Sequence, residues 1–297
     1  MAVEEQDFRV FNGEGELYLR RLSKALGEDK LKTVLFLHGA FLPSSICFDP
    51  SLEGYSWARH LALEGFDVYL LDFRGFGLSY KPHRHQPVCT VDNALADVRA
   101  AVEYILAKSK TSAVSLIGWS WGACIAGLFA GKYPHLVERV HLHAPIFERR
   151  DELAEKLERE VLRSRRDGYV GVALSELRKW LGGVEDRVLS SLISTMSTGE
   201  VTYLPLGPWL SMYELFKSGE PIFSPKDIRC PVFITRGEED LVVSRDGVVK
   251  LFRLIPISQK QLVLVQGGGH FMHLEEEKNR LKLYRLSSFF LCEDFKW

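Results

Sequence analysis

Five residues, Gly118-Trp119-Ser120-Trp121-Gly122, constrain this chain more than any other feature. They fit the pattern G-x-S-x-G, and their flanks matter more than their letters. Upstream, Ala113–Ile117 is a short uncharged apolar run that reads as a strand buried on both faces. Downstream, Ala123–Gly131 reads as a buried helix stopped near Gly131 and Pro134. A serine between the two sits on a sharp strand-to-helix turn, where side chains at the glycine positions would clash. The helix N-terminus turns backbone N–H groups and its positive dipole toward any anion formed beside that serine.

The rest of the chain repeats the alternation. Thr33–Leu37, Phe66–Leu71, Val137–His143, Pro231–Thr235 and Leu262–Val265 read as strands. Val91, Leu95, Val98, Val102 and Ile105 recur at helical spacing, with Thr90 or Asp92 as the N-cap. Val248–Leu254 and a final stretch from about Glu275 to Phe290 read as further helices, and residues 6–22 as a hairpin turning at Gly13–Gly15. The fold class is therefore α/β, a doubly wound, mostly parallel sheet. Residues 147–226 interrupt it. Phe147–Asp167 is highly charged and helical, and the remainder lacks strand-like runs, so a mostly helical insertion is expected between core segments 1–146 and 227–297.

Serine alone is a poor nucleophile near neutral pH and needs a base, which itself needs an orienting group. Gly267-Gly268-Gly269-His270 follows the last strand, at the sheet edge where open α/β sheets place their ligand sites. His270 is thus the expected base. His273, one turn later, is expected to face the following helix or solvent. The loop after Pro231–Thr235 offers Glu238, Glu239 and Asp240. Asp240 precedes the apolar Leu241-Val242-Val243 and is the expected acid, whereas Asp246 is better explained by helix capping. The loop after Thr33–Leu37 carries His38-Gly39-Ala40-Phe41. The backbone N–H of Ala40, or alternatively of Phe41, pairs with that of Trp121 as oxyanion donors, and His38 positions backbone. Phe41, Trp121, Phe271 and His143 are the candidate substrate-binding residues, with Trp119 packed in the core. His141 reads as a satisfied structural histidine.

Composition excludes several classes. The net charge of -1 leaves no basic surface for nucleic acid or an anionic membrane. The five cysteines are scattered, with no CxxC pair, so neither a disulfide framework nor a zinc site is expected. Met1 to Val10 has no apolar core, and no apolar run approaches the roughly 18 residues of a membrane span. The expectation is a soluble cytoplasmic protein acting on a small molecule, with no metal and no cofactor. A homodimer formed through an apolar face of the insertion is left open.

Taken together, His38-Gly39, Asp72-Phe73-Arg74-Gly75-Phe76-Gly77-Leu78-Ser79, Gly118–Gly122, Asp240 and Gly269-His270-Phe271 resemble the landmarks of the α/β-hydrolase superfamily. The Asp72–Ser79 segment is similar to a loop of esterases, lactonases, haloperoxidase-like enzymes and proline iminopeptidases. The resemblance implies a structural role for Asp72 and Arg74, and a cap or lid domain at 147–226 over the active site. Ser120 stands where epoxide hydrolases and haloalkane dehalogenases carry Asp, and the HGGG loop of one lipase group is absent. The expected activity is hydrolysis of a carboxylic ester, thioester or lactone of a small apolar substrate through an acyl-serine. Acyl transfer, C–C bond hydrolysis or peptidase action with the same residues, and slow-turnover ligand reception, are the competing readings.

Overall fold

The computed structural model describes residues 2–24, 32–83, 85–109, 111–196 and 199–293. The chain opens with β1 (Val3–Phe11), β2 (Glu16–Lys24), β3 (Thr33–Leu37), α1 (Ser44–Cys47), α2 (Trp57–Leu63) and β4 (Asp67–Asp72). It continues through α3 (Val91–Lys108), β5 (Val114–Trp119), α4 (Trp121–Lys132) and β6 (Val137–His143). An inserted segment follows, comprising α5 (Asp151–Glu160), β7 (Arg165–Arg166), β8 (Tyr169–Ala173), α6 (Leu174–Trp180), α7 (Asp186–Met196), β9 (Val201–Pro205) and α8 (Leu206–Ser218). The chain then returns to the sheet with β10 (Val232–Gly237), α9 (Arg245–Leu254), β11 (Lys260–Val265) and α10 (Glu277–Cys292).

Among the described residues, eight strands form one sheet in the order β1-β2-β4-β3-β5-β6-β10-β11. The β1–β2 and β2–β4 pairs are antiparallel and the others parallel. Every residue of β3, β4 and β5 is buried, because helices cover both faces and each side chain faces a packed layer. The β1–β2 hairpin is an edge, and most of β1 is exposed. Its turn is held by Asn12, whose Oδ1 accepts from the N–H groups of Glu14 and Gly15. The chain runs from β3 outward to β4 and from β5 outward to β6, so the winding reverses between β3 and β5. Open sheets of this kind place their ligand crevice at that reversal, outside the carboxyl ends of the strands. Both the His38–Phe41 loop and Ser120 emerge there.

Thr90 caps α3 in a reciprocal capping box with Asn93, which decides between the two candidate caps. The cap of α9 is Ser244, whose side chain accepts from Gly247 N–H, and Asp246 sits in the first turn instead. Asp72 accepts from Ser45 N–H, Ser45 Oγ and Leu78 N–H. Arg74 is buried against Asp97, with Nη2 and Oδ1 2.7 Å apart.

The inserted segment, predicted from sequence to be mostly helical and without strand-like runs, does hold strands beside its helices. It contains a three-stranded antiparallel sheet, β7-β8-β9. The residues of β8 and β9 alternate between more and less buried, the period of a half-buried strand. No helix among the described residues is long and apolar enough to cross a membrane. All five cysteines are free thiols, and only Cys292 is exposed.

Candidate active site

β5 ends at Trp119 and α4 begins at Trp121, leaving Ser120 as the turn residue at φ 56° and ψ −120°. This is a left-handed φ that a non-glycine residue rarely adopts. It is held by tight packing on either side. A Cβ on Gly118 would lie 2.4 Å from the Gly122 carbonyl oxygen, and one on Gly122 would lie 2.3 Å from the carbonyl oxygens of Leu37 and His38. The Ser120 N–H donates to the His143 carbonyl at 2.9 Å.

The loop after β11 carries His270 back to the serine. Nε2 of His270 lies 3.0 Å from Ser120 Oγ, and Nδ1 lies 2.8 Å from Asp240 Oδ2. The other oxygen of Asp240 accepts from the N–H groups of Val242 and Val243, each at 2.8 Å. Burial works against a charge on Asp240, but His270 and those two N–H donors outweigh it and hold the carboxyl below its ordinary range. The three side chains form one hydrogen-bonded line. A proton can leave the serine oxygen for an imidazole whose tautomer the carboxylate fixes.

The supporting groups were less legible in the sequence. Trp119 is in the core, as expected, and its indole N–H also donates to the His270 carbonyl at 3.0 Å. Glu275 is buried and accepts from Gly269 N–H, tying down the glycine run before His270. Burial raises its pKa against the opposing N–H bonds of Gly269 and Phe271. Arg236 donates to the carbonyls of Asp240 and Val243 and so fixes the acid's loop. Glu275 is one of three consecutive glutamates, and no local pattern sets it apart. A buried Trp indole, by contrast, ordinarily needs an acceptor, which is a usable signal.

His38 is fully buried. Gly39 C=O can only accept, so His38 Nδ1 carries the proton donated to it at 2.7 Å, while Nε2 accepts from Phe73 N–H at 3.1 Å. Burial lowers its pKa to about 3 despite the Gly39 bond, and it stays neutral. The Gly39–Ala40 peptide is trans, so its N–H points opposite to the carbonyl that His38 holds. His38 therefore orients the Ala40 N–H without touching the serine.

Ser120 opens into a cavity of about 260 Å³. From the core, Ala40, Phe41, His270 and Phe271 line it. From the inserted segment come Leu153, Leu157, Trp180, Trp209, Met212 and Phe216, with Lys156 and Lys179. Larger depressions of about 360 Å³, beside this one, and about 570 Å³, elsewhere, do not contain Ser120.

Three expectations need correction. The Trp121 side chain does not line this cavity. It is fully buried against Phe73, and its indole N–H donates to Ser211 Oγ on α8 at 2.8 Å, joining the core to the inserted segment. His143 does not line it either. Its ring is fully buried with Nδ1 3.0 Å from Thr235 Oγ1, a hydroxyl that also meets His141 Nε2 at 2.8 Å. The His273 ring is turned away from solvent into the core, and α10 meets the residue at its backbone, where Tyr284 Oη donates to the His273 carbonyl at 2.8 Å. The short turn Met272–Leu274 folds inward and packs its ring 4.6 Å from that of Trp119.

The sequence model of the α/β hydrolase fold matches residues 32–277. The chain belongs to the α/β-hydrolase family. Among its relatives, this hydrolase is similar to 2-(acetamidomethylene)succinate hydrolase of Mesorhizobium japonicum, at 27% identity over 251 residues, covering 81% of this chain and 82% of that protein. Among solved structures, E-2-(acetamidomethylene)succinate hydrolase superposes with a TM-score of 0.73 at 20% identity, covering 98% of this chain and 100% of the other. An esterase from Exiguobacterium antarcticum gives 0.72 at 17% identity, covering 97% and 99%. At these identities the two structures speak to the fold alone.

Proposed function

We propose that this hydrolase cleaves a carboxylic ester, thioester or lactone of a small apolar substrate through an acyl-Ser120 intermediate. The observation that carries the reading is the Ser120–His270–Asp240 line, at 3.0 and 2.8 Å, opening on a largely apolar cavity. His270 Nε2 takes the Ser120 proton as Oγ attacks the acyl carbonyl. The N–H groups of Trp121 and Ala40 hold the oxyanion, and the Ala40 N–H is pre-aimed through His38. His270 then gives the proton to the leaving group and activates water for deacylation. Asp240 fixes the imidazole tautomer and stabilises imidazolium. Residues 147–226 act as a cap whose aromatic and aliphatic side chains exclude water and select the substrate.

The test is reaction of the folded protein with a fluorophosphonate probe, followed by hydrolysis of p-nitrophenyl esters. Wild type is expected to label at Ser120. Ser120→Ala and His270→Ala are each expected to lose roughly 10⁴–10⁶-fold in kcat. Absence of labelling in folded wild type overturns the acyl-enzyme reading.

A further inference from the structure

Phe41 belongs to two cavities at once. It lines the 260 Å³ cavity that holds Ser120 and also a neighbouring cavity of about 360 Å³. Among the described residues no other is common to the two linings. The second cavity lies between the Gly75–Leu78 loop, the start of α1 and the edge of the inserted segment at Met196, Thr202 and Leu204. Its wall mixes apolar side chains such as Ile46, Met196 and Leu204 with the charged Arg20, Asp49 and Lys81. Phe41 is 8% exposed. On the Ser120 side it meets Trp209 at 6.3 Å, nearly parallel, and Phe271 at 5.7 Å and Trp180 at 6.3 Å edge-on. The ring is thus a partition held by aromatic packing.

The volumes give that partition a consequence. Ligand pockets ordinarily run from roughly 300 to 1,000 Å³. The Ser120 cavity falls below that range by itself and inside it once joined to its neighbour. We infer that Phe41 is the specificity-determining residue of this site: its ring limits the substrate chain to a short group, and the cavity behind it is a second subsite for a longer, unbranched apolar chain. This rests on the serine-hydrolase reading for its kinetic form, although the partition itself does not need turnover. Phe41 acts by volume, because any N–H it contributes is backbone and survives substitution.

The experiment compares wild type, Phe41→Leu, Phe41→Ala and Phe41→Ala/Met196→Trp. Two series of p-nitrophenyl acyl esters and alkyl acetates run from butyl to octyl length. Each newly buried methylene is worth roughly fourfold. The octyl-to-butyl ratio of kcat/KM is expected to rise at least roughly tenfold in Phe41→Ala and less in Phe41→Leu. Met196→Trp, which fills the second cavity, is expected to cancel the gain, whereas a site merely loosened by losing the ring would keep it. A gain in the acyl series assigns the subsite to the acyl chain, and one in the alkyl series to the leaving group. Binding of 1-alkanols to the Ser120→Ala protein, with and without Phe41→Leu, reads the same cavity without turnover. If esters are not cleaved but longer alkanols bind the Phe41 variant more tightly, the partition stands and the hydrolase reading falls. A flat length profile in folded variants, in turnover and in binding, overturns the partition.

Discussion

Asp240 uses both carboxylate oxygens, one on His270 Nδ1 and the other on the N–H groups of Val242 and Val243. This fixes what an amide would do in its place. In Asp240→Asn the two backbone donors keep the amide oxygen, so the NH₂ faces His270 Nδ1. The imidazole must then carry its proton on Nε2, pointing at Ser120, and can no longer take one from it. The expected loss in kcat is roughly 10⁴-fold on any ester the wild type cleaves, with little change in KM or in the thermal melt. A loss below about tenfold would remove Asp240 from the proposed mechanism. Ser120, Asp240 and His270 were legible because each hangs on a strand end in a fixed chain order. His143 and Trp121 were misread because a position near a strand edge does not fix which way a side chain turns. Thr235 drew in the first and Ser211, across the insertion, the second.

The turn between β5 and α4 ties two strands together, so its glycines matter beyond the serine. An alanine methyl at Gly122 would sit 2.3 Å from the carbonyl oxygens of both Leu37 and His38. Backbone cannot yield as a flexible side chain does, so the end of β3 must move and Ala40 moves with it. Gly122→Ala is expected to lower stability in urea unfolding by roughly 3 kcal/mol or more, and to abolish the proposed ester hydrolysis even in the folded fraction. Gly171 provides the contrast. A methyl there meets its nearest neighbour at 3.4 Å, an ordinary contact, and Gly171→Ala should stay within about 1 kcal/mol of wild type. Equal costs at the two sites would contradict the packing described. The same element scale shows why the core read well and the inserted segment did not. Strands covered on both faces are continuous apolar runs. β8 and β9 are five residues each, broken by Gly171 and ended by Pro205, and the partner β7 is Arg165–Arg166. Their pairing is set by contacts distant in the chain, which local patterning does not record.

Across the whole molecule, histidine burial couples stability to pH. His38, His141, His143 and His273 are all fully buried, and burial lowers the pKa of each, to about 3 for His38 and His143 and well below the ordinary value for the others. Neighbouring imidazoles add to this, His143 against His141 and His273, and His270 against His143. In the unfolded chain each histidine titrates near its ordinary value of about 6.5. The folded state therefore binds fewer protons than the unfolded state as pH falls below that point. The stabilisation from neutral burial is fully present above about pH 6.5 and is lost as pH drops toward about 3. Each such histidine contributes a slope of up to about 1.4 kcal/mol per pH unit. Four together, acting from pH 6.5 to 5, remove an amount comparable to the roughly 5–15 kcal/mol that holds a domain folded. Urea midpoints measured from pH 7.5 to 5 are expected to collapse below about pH 6, well before most exposed carboxylates titrate. His141→Gln should flatten that slope by about 1.4 kcal/mol per pH unit. A midpoint that stays level down to pH 5 would mean that these imidazoles reach water or a proton partner in the folded state, against the full burial described above.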